Sequence, residues 1–234
     1  MIPFPSDIEV KDGDVVAVDL ETYDPQLKTH GSGAIIGNGF VCGIAIAYRN
    51  ETFYFPIEHK GPKLATNLVW KVLNKKIFQN EKINKVFHNA MYDVCWIRSA
   101  TGLMPKGNLY DTMIAASVID ENRKSYSLDS LSADYLNDKK YKYDLKDRAL
   151  AEHGIADPMS NMDKLPYDLV KDYAEQDVSL TLRLWKKFKE IIDKPIQVLG
   201  PEDNPVKYKT LQNIFNLETK LFPCLVDMRF KGVR

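Results

Sequence analysis

The chain has 234 residues, of which 44% are apolar and 27% charged, a composition typical of a globular domain that excludes wholesale disorder, a collagen repeat and a bundle of membrane spans. Its 32 basic residues equal its 32 acidic ones, so the sequence does not indicate a strongly basic nucleic-acid-binding module. In chain order, the apolar and β-branched patterns of the first half predict strands at 15–20, 41–48 and 52–56, a helix at 64–78, a short strand at 85–88 and a helix at 90–100.

The second half is predicted to be almost entirely helical. The helical periodicity covers residues 112–119, 127–136, 145–153, 167–192 and 207–230, with loops at 154–166 and 194–205. The segment at 24–40, which holds Pro25 and four glycines, is predicted to be a long loop. Strands early in the chain and helices late predict an α/β domain with three layers, a mixed central sheet and a helix-rich C-terminal half.

Two carboxylates end the first predicted strand. Because side chains alternate along a strand, Asp19 and Glu21 lie on the same face, at the carboxyl end where open α/β sheets place ligand sites. The same pattern arises if the two charges only mark the exit of the strand into solvent. The pair therefore predicts either a ligand site or a simple strand end.

A third carboxylate interrupts the apolar face of the long helix at 167–192. At helical spacing Asp177 lies among apolar residues, with the phenol of Tyr173 one turn earlier. A carboxylate in that position requires a hydrogen bond, a basic partner or a metal ion. Both a structural aspartate and a metal ligand would meet this requirement.

A fourth carboxylate belongs to the motif His88-Asn89-Ala90-Met91-Tyr92-Asp93, which lies at a strand-to-helix junction. Asn89 is a good helix N-cap, and Asp93 in the first turn favours the helix dipole, so both residues also have structural explanations. Asp111, just before the helix predicted to start at Thr112, is typical of a helix cap.

Together the four carboxylates indicate a cation site. If they meet in one pocket, their charges repel one another unless cations join them, and oxygen ligands favour Mg²⁺ or Mn²⁺ over zinc. Two such ions about 3.5–4 Å apart are a known arrangement for the hydrolysis of phosphodiesters. The residues concerned are Asp19, Glu21, Asp93 and Asp177.

These motifs resemble those of the DEDD class of proofreading 3′→5′ exonucleases. Asp19-Leu20-Glu21 is similar to the first motif of the class, the segment from Asn89 to Asp93 to the second, and Tyr173-Ala174-Glu175-Gln176-Asp177 to the third. The tyrosine at position 173, where a sister subclass has histidine, matches the DEDDy branch. The resemblance implies an RNase H-like exonuclease fold and two divalent cations, Mg²⁺ or Mn²⁺.

The resemblance also implies a role for each residue. Asp19, Glu21 and Asp177 would hold one cation, Asp19 would bridge to the second, and Asp93 would reach the second partly through water. Tyr173 would orient the attacking water by a hydrogen bond, because its ordinary pKa near 10 suits positioning better than proton abstraction.

Substrate contacts are implied for Asn89, Thr22 and Tyr92. The reaction implied by the resemblance is metal-dependent removal of nucleoside 5′-monophosphates from the 3′ ends of DNA. Two alternatives remain open at this point. One is an RNase D-like 3′→5′ RNA exonuclease, which uses the same motifs, and the other is a catalytically silent scaffold domain with an exonuclease fold.

Towards the C-terminus the sequence resembles a more specific group of proteins. Residues 127–131, 178–185 and 217–233 are similar to segments of family A DNA polymerases. We therefore expect an exonuclease domain over residues 1–193, and over 194–234 a linker and the start of a helix leading into a polymerase domain that this chain lacks. The implied partners are a single-stranded DNA 3′ end and that polymerase domain.

Three further expectations concern the surface and the setting of the protein. The chain by itself is expected to be a monomer that does not associate with membranes. The N-terminus shows no signal-peptide pattern, which favours a cytoplasmic location, in the host cell if the protein is viral. Residues 139–143 interleave lysine and tyrosine, a pattern that suits either a grip on nucleic acid or a solvated connection between helices.

Overall fold

The computed structural model describes residues 2–138, 142–198 and 207–232. At its centre is a five-stranded sheet with the strand order β3-β2-β1-β4-β5. The strands are β1 (Val15–Tyr23), β2 (Phe40–Tyr48), β3 (Glu51–Pro56), β4 (Asn84–Phe87) and β5 (Leu109–Asp111). Antiparallel pairing joins β1 to β2 and β2 to β3, whereas β4 pairs in parallel with both β1 and β5. The prediction of a mixed sheet is therefore confirmed.

Helices cover both faces of the sheet. The helix α8 (Tyr167–Ile192) crosses one face, where it packs on the buried alanines 17, 45 and 47 of two neighbouring strands. These small side chains let the helix backbone approach the sheet closely. The other face is covered by α3 (Thr66–Leu73), which continues into a π-helical turn (Asn74–Phe78), and by α4 (Ala90–Thr101). The predicted three-layer arrangement is confirmed.

The longer helices not yet named lie mainly in the second half of the chain. They are α5 (Thr112–Ile119), α6 (Leu128–Leu136), α7 (Lys142–His153) and α9 (Gln212–Lys231). Side chains of α5 and α6 pack against α8 in one apolar cluster, together with Phe215 of α9. The expected helix-rich C-terminal half is therefore present, with α8 sandwiched between the sheet and these helices.

The structure corrects three details of the predicted elements. The strand β5 was missed because three residues carry too little pattern to be detected. The loop predicted at 24–40 contains two single-turn helices, α1 (Leu27–His30) and α2 (Gly33–Ile36). The helix predicted to start at residue 207 begins at Gln212, because Lys207–Lys209 forms a strand, β7, that pairs with β6 (Ile196–Val198) in a second, two-stranded sheet.

Two sequence predictions fall partly outside the described residues. Residues 139–141 of the lysine–tyrosine segment and residues 199–205 of the loop predicted at 194–205 are not among those that the structure describes.

One edge of β1 is left without a strand neighbour, and this feature positions the site. β4 pairs with β1 only from Val15 to Ala17, whereas β2 pairs with β1 as far as Tyr23. A β-bulge at Cys42 shifts the β1–β2 register, so that the pair Glu21–Gly43 is followed by the pair Thr22–Val41. Such bulges bend a strand and change the direction of its side chains. Residues 18–23, two thirds of β1, therefore extend past its pairing with β4.

Candidate active site

A cavity of about 250 Å³ opens where β1 extends past β4. All eight side chains that the sequence singled out as site residues line this cavity. They come from β1, from the start of α4 and from the middle of α8, and they are Asp19, Glu21, Thr22, Asn89, Tyr92, Asp93, Tyr173 and Asp177.

Asp19 and Glu21 project from β1 on the face that α8 covers. Ala17 precedes Asp19 by two positions on that face and is fully buried against α8. Asp19 is half-buried, and Glu21 is only 5% exposed. The pair does not mark the exit of the strand into solvent, because β1 continues to Tyr23 and both side chains line a cavity.

Asp93 reaches the cavity through the gap that the short β4 leaves. α4 follows β4 after a two-residue turn, and its first turn carries Asp93 to β1, where Oδ1 accepts a 3.0 Å hydrogen bond from the Leu20 N–H. Leu20 lies beyond the last β1–β4 pair, so Asp93 provides an acceptor where strand pairing has ended. Burial, and then the negative charge of Asp19, raise the pKa of Asp93 well above its usual value.

α8 contributes Tyr173 and Asp177, which lie one turn apart on its buried face. Both are nearly inaccessible, with exposed fractions of 6% and 5%. Burial, followed by the charges of Asp177 and Glu21, raises the pKa of Tyr173 well above its usual value. The phenol is therefore protonated at neutral pH and is available as a hydrogen-bond donor in a cavity lined with carboxylates.

Asp111 holds the turn that joins β4 to α4. Asn89 stands at the N-cap of α4 with a left-handed backbone (φ +69°), but its side chain makes no capping hydrogen bond. Asp111 accepts hydrogen bonds from the N–H groups of Asn89 (3.1 Å), Ala90 (2.7 Å) and Met113 (2.8 Å). The prediction that Asp111 caps α5 is confirmed, and the interpretation of Asn89 as a side-chain cap is wrong. Asp111 thereby fixes the turn that presents Asn89 to the cavity.

Thr22 and Tyr92 form one hydrogen-bonded wall of the cavity. Their hydroxyl oxygens are 2.7 Å apart, and the Tyr92 hydroxyl also donates to Asp24 Oδ2 at 3.1 Å. Asp24 in turn accepts the N–H of Gly33, at the start of α2, at 3.0 Å. This network ties β1, α4 and α2 together and gives the wall a fixed shape.

Four further residues line the cavity and were not assigned a role from the sequence: Leu20, Leu27, His88 and Met159. His88 follows β4, and its Nδ1 is 2.8 Å from Thr112 Oγ1. Leu27 and Met159 lie on the rim and are 43% and 45% exposed. Isolated apolar residues in loop-like segments produce no periodic pattern, so nothing in the sequence marked these two positions.

The donor set of the cavity suits divalent cations. Its four acidic side chains supply oxygen ligands of the kind that Mg²⁺ and Mn²⁺ prefer. The charge of Asp19 already disfavours ionisation of Asp93, and a bound cation would offset that repulsion. Within the described parts of the chain, no three His, Cys, Asp or Glu side chains have their donor atoms gathered as ligands of one metal ion. The residues present therefore fit the expected cations in chemistry and location, without a completed coordination shell.

The described sheet is mixed, lies between helical layers and carries an acidic cavity beside its central strand. A family model described as 3′-5′ exonuclease matches residues 8–193. The chain belongs to this family, the exonuclease domains of family A DNA polymerases, whose members are hydrolases acting on DNA and are metal-dependent.

Similarity to DNA polymerases extends over nearly the whole chain. The DNA-directed DNA polymerase of Pseudomonas phage M6 is 29% identical over 231 residues, which cover 94% of this chain and 31% of that polymerase. The match covers 19% of the DNA polymerase of Escherichia phage T5 and 18% of the DNA polymerase of Bacillus phage SP01. The chain thus spans about a third or less of the length of these relatives.

Solved structures support the fold. Brucella melitensis NrnC with bound Mg²⁺ has a TM-score of 0.63 at 17% identity, covering 94% of this chain and 86% of that chain. Trypanosoma brucei RNase D in complex with RNA U12 has a TM-score of 0.58 at 17% identity, covering 89% of this chain and 62% of that chain. The RNase H-like exonuclease fold implied by the sequence motifs is therefore confirmed.

The described helices were compared with the requirements of a membrane span. None of them combines the length and the apolar composition that a membrane span requires.

Proposed function

We propose that this chain removes nucleoside 5′-monophosphates one at a time from the 3′ end of single-stranded DNA, as the proofreading part of a family A DNA polymerase. The observation that carries the proposal is the meeting of four carboxylates and one tyrosine, from three distant sequence motifs, in a single cavity. Membership of the exonuclease family supports the reaction class, and the phage polymerase relatives support DNA as the substrate.

Two divalent cations, Mg²⁺ or Mn²⁺, complete the site in this proposal. Asp19, Glu21 and Asp177 would hold the first, and Asp19 would also hold the second. Asp93 would reach the second partly through water, in keeping with the engagement of its Oδ1 by the Leu20 N–H. When bound, such ions lower the pKa of a water molecule and stabilise the charge that develops on the leaving oxygen.

Tyr173 positions the attacking water by a hydrogen bond in this scheme. Its hydroxyl keeps its proton at neutral pH, because burial and the neighbouring carboxylates raise the pKa of the phenol. It therefore orients the water and does not act as the base.

Substrate contacts are proposed for the rim and for one wall of the cavity. Asn89 is presented by the turn that Asp111 fixes, and Thr22 and Tyr92 form the hydrogen-bonded wall. Leu27 and Met159 expose apolar surface at the cavity and would contact the terminal base.

The division of the chain into two parts is also a proposal. Residues 1–193 would form the exonuclease domain, in keeping with the family match that ends at 193. Residues 194–234 would form a linker and the start of a helix leading into a polymerase domain. Five large apolar side chains of α9 support this assignment, since they are exposed at helical spacing: Ile214, Leu217, Leu221, Leu225 and Met228.

Asp19→Ala and Asp177→Ala are expected to abolish hydrolysis while the fold survives. The assay follows 5′-labelled single-stranded DNA and the matching RNA with Mg²⁺, Mn²⁺ or EDTA. The wild type should give a metal-dependent ladder that shortens DNA from its 3′ end, and each variant should lose more than about 100-fold in rate, beyond the range of outer-shell partners. Asp172→Ala, an exposed position on the same helix, is the matched control.

Three outcomes would contradict the proposal. Wild-type rates in either variant would refute the roles assigned to the carboxylates. A ladder on RNA alone would move the chain to the RNase D-like alternative. Absence of both a ladder and Mn²⁺ binding in calorimetry would identify a catalytically silent scaffold.

A further inference from the structure

A second cavity opens at the same end of the sheet as the acidic cavity, beside α3 and α4. Its volume is about 440 Å³, compared with about 250 Å³ for the acidic cavity. Ligand pockets in proteins span roughly 300–1,000 Å³, so the second cavity has the size of a small-molecule site. The described residues that line the two cavities are different. Those of the second include Phe40, Glu58, Asn67, Trp70, Trp96 and Ala100.

Aromatic side chains form much of the wall of this second cavity, which we call the aromatic cavity. Trp96 of α4 and Trp70 of α3 are 4% and 8% exposed, so the core holds both indoles firmly and leaves only a small part of each accessible. Phe40, at the start of β2, is 38% exposed and supplies the accessible ring. A lining of this kind suits a flat aromatic ligand.

Gly39 confines the Trp96 indole. Its backbone has φ +122°, a conformation that favours glycine. A Cβ at this position would lie 2.3 Å from the Tyr23 carbonyl oxygen and 3.1 Å from Trp96 Cη2. The main chain can therefore pass close to the indole only because position 39 has no side chain. The aromatic wall is fixed on this side by backbone packing.

One aromatic layer separates the aromatic cavity from the acidic cavity. Tyr92 lines the acidic cavity, and Trp96, one turn later on α4, lines the aromatic cavity. The two rings meet edge to face with centroids 6.4 Å apart. Because neighbouring stacked bases of a strand are about 3.4 Å apart, this separation corresponds to one or two nucleotides. A strand with its end in the acidic cavity therefore has its next bases within reach of the aromatic cavity.

The polar rim of the aromatic cavity favours a base over a phosphate. Glu58 Oε1 accepts a 2.6 Å hydrogen bond from Thr66 Oγ1, and Oε2 lies 3.4 Å from Lys63 Nζ. The Glu58 carboxylate repels a phosphate, whereas its oxygens can accept a hydrogen bond from the exocyclic amino group of a base. Asn67, exposed near the start of α3, adds an amide with both donors and an acceptor.

We propose that the aromatic cavity binds an unpaired base of the DNA strand, upstream of the nucleotide that is removed. The inference rests on the proposed function, because the 3′ end of that strand must lie in the acidic cavity. The base inserts against the Phe40 ring, between α3 and α4. Since every base has an aromatic face, the contact tolerates many sequences and strengthens the grip on the strand.

An abasic series combined with an occluding variant tests the inference. Ala100 is exposed on α4 at the aromatic cavity, so Ala100→Tyr fills the opening, and Ala133→Tyr, at an exposed alanine of α6, is the matched control. The single-stranded DNA substrates carry one abasic residue at the second, third or fourth position from the 3′ end. We expect wild type and Ala133→Tyr to lose about fivefold or more in kcat/KM at one of these positions, as for the loss of one stacked base. At that position Ala100→Tyr should lose less than about twofold relative to its own rate on intact DNA.

Phe40→Ala provides a second test if Ala100→Tyr fails to fold, as judged by thermal unfolding in EDTA. It removes the accessible ring, so it should lower kcat/KM on intact DNA about fivefold and abolish the effect of the abasic residue. Phe40→Tyr keeps the ring and should behave like wild type.

Two results would overturn the inference. One is an abasic effect below about twofold at all three positions in the wild type. The other is an abasic effect of equal size in wild type and Ala100→Tyr, which would place the base contact elsewhere. If free deoxyadenosine monophosphate quenched the tryptophan fluorescence alongside either result, the cavity would be a site for free nucleotides instead. Each result leaves the proposed function standing if the wild type shortens DNA from its 3′ end. A wild type that shortens no DNA with Mg²⁺ or Mn²⁺ would refute both.

Discussion

The Asp93 carboxylate both accepts a backbone hydrogen bond and lines the cavity. It accepts the N–H of Leu20 at 3.0 Å, and it lies near the negative charge of Asp19. The hydrogen bond favours the ionised form, but burial and the neighbouring charge outweigh it and raise the pKa of Asp93. Without a cation, the folded protein therefore holds this carboxylate in its charged form only at a cost in free energy.

Asp93→Asn is expected to stabilise the metal-free protein at neutral pH. A raised pKa in the folded state means that the stability contribution of the neutral acid is complete below the unfolded pKa of about 3.9 and is lost as pH rises through the folded pKa. Asparagine keeps the Oδ1 acceptor for Leu20 and has no charge to lose. The free energy of unfolding of the variant should exceed that of wild type by about 1 kcal/mol or more at pH 7.5.

Urea unfolding in EDTA between pH 4 and 8 measures this difference. It should shrink towards zero as the pH approaches 4, and the exposed Asp172→Asn should show no such trend. A wild type more stable than Asp93→Asn at pH 7.5 would show that the fold stabilises ionised Asp93. That result would contradict the free-energy cost inferred from its raised pKa.

Among the elements, those with long patterns could be predicted from the sequence and those fixed by tertiary contacts could not. The 26 residues of α8 carry seven turns of amphipathic pattern, so its bounds were predicted correctly. β5 has three residues, and it exists because β4 offers it a parallel edge. The hairpin strand β7 replaced the first turn of a predicted helix, because the alternating segment Lys207–Lys209 pairs with β6.

The site follows the same division. Asp19, Glu21, Asp93, Tyr173 and Asp177 could be found because their types and spacing form motifs, and the structure brings them to one cavity. The gap that lets α4 reach β1 depends on where β4 stops, and the apolar rim depends on loop conformation. Neither feature can be predicted from a local sequence pattern.

The element α9 provides a test of the proposed boundary with a polymerase domain. Its stripe of exposed apolar side chains faces away from Phe215, Phe222 and Val226, which are buried against residues of the proposed exonuclease domain. Leu217→Lys combined with Leu221→Lys should leave the free energy of unfolding within about 0.5 kcal/mol, because surface substitutions have small effects.

The same double variant should lose association with a family A polymerase domain from the same source, measured by sedimentation velocity, whereas Lys220→Ala should bind like wild type. Undiminished binding by the double variant would place the polymerase contact elsewhere. A large loss of stability would show that the stripe is part of the core of this domain.

On the scale of the whole molecule, the balanced charge limits the affinity for DNA. With 32 basic and 32 acidic residues, the chain has no excess of positive charge to neutralise phosphates, and phosphate neutralisation supplies most non-specific affinity. We expect Asp177→Ala in Mg²⁺ to bind a 5′-labelled single strand with Kd above about 1 µM at physiological salt, with a shallow salt dependence. Fluorescence anisotropy measures both quantities, and a sub-micromolar Kd would be inconsistent with this picture.

The entry of Asp93 through the gap beside the short β4 has an evolutionary consequence. The acidic residues come from the central strand, from a helix on one face and from a helix on the other, so no single loop carries the proposed cation site. Deleting one loop would therefore leave the four carboxylates of the proposed cation site in place. A lineage that dispensed with nuclease activity would therefore lose it through point substitutions of the carboxylates, and would retain the domain as an intact structural unit.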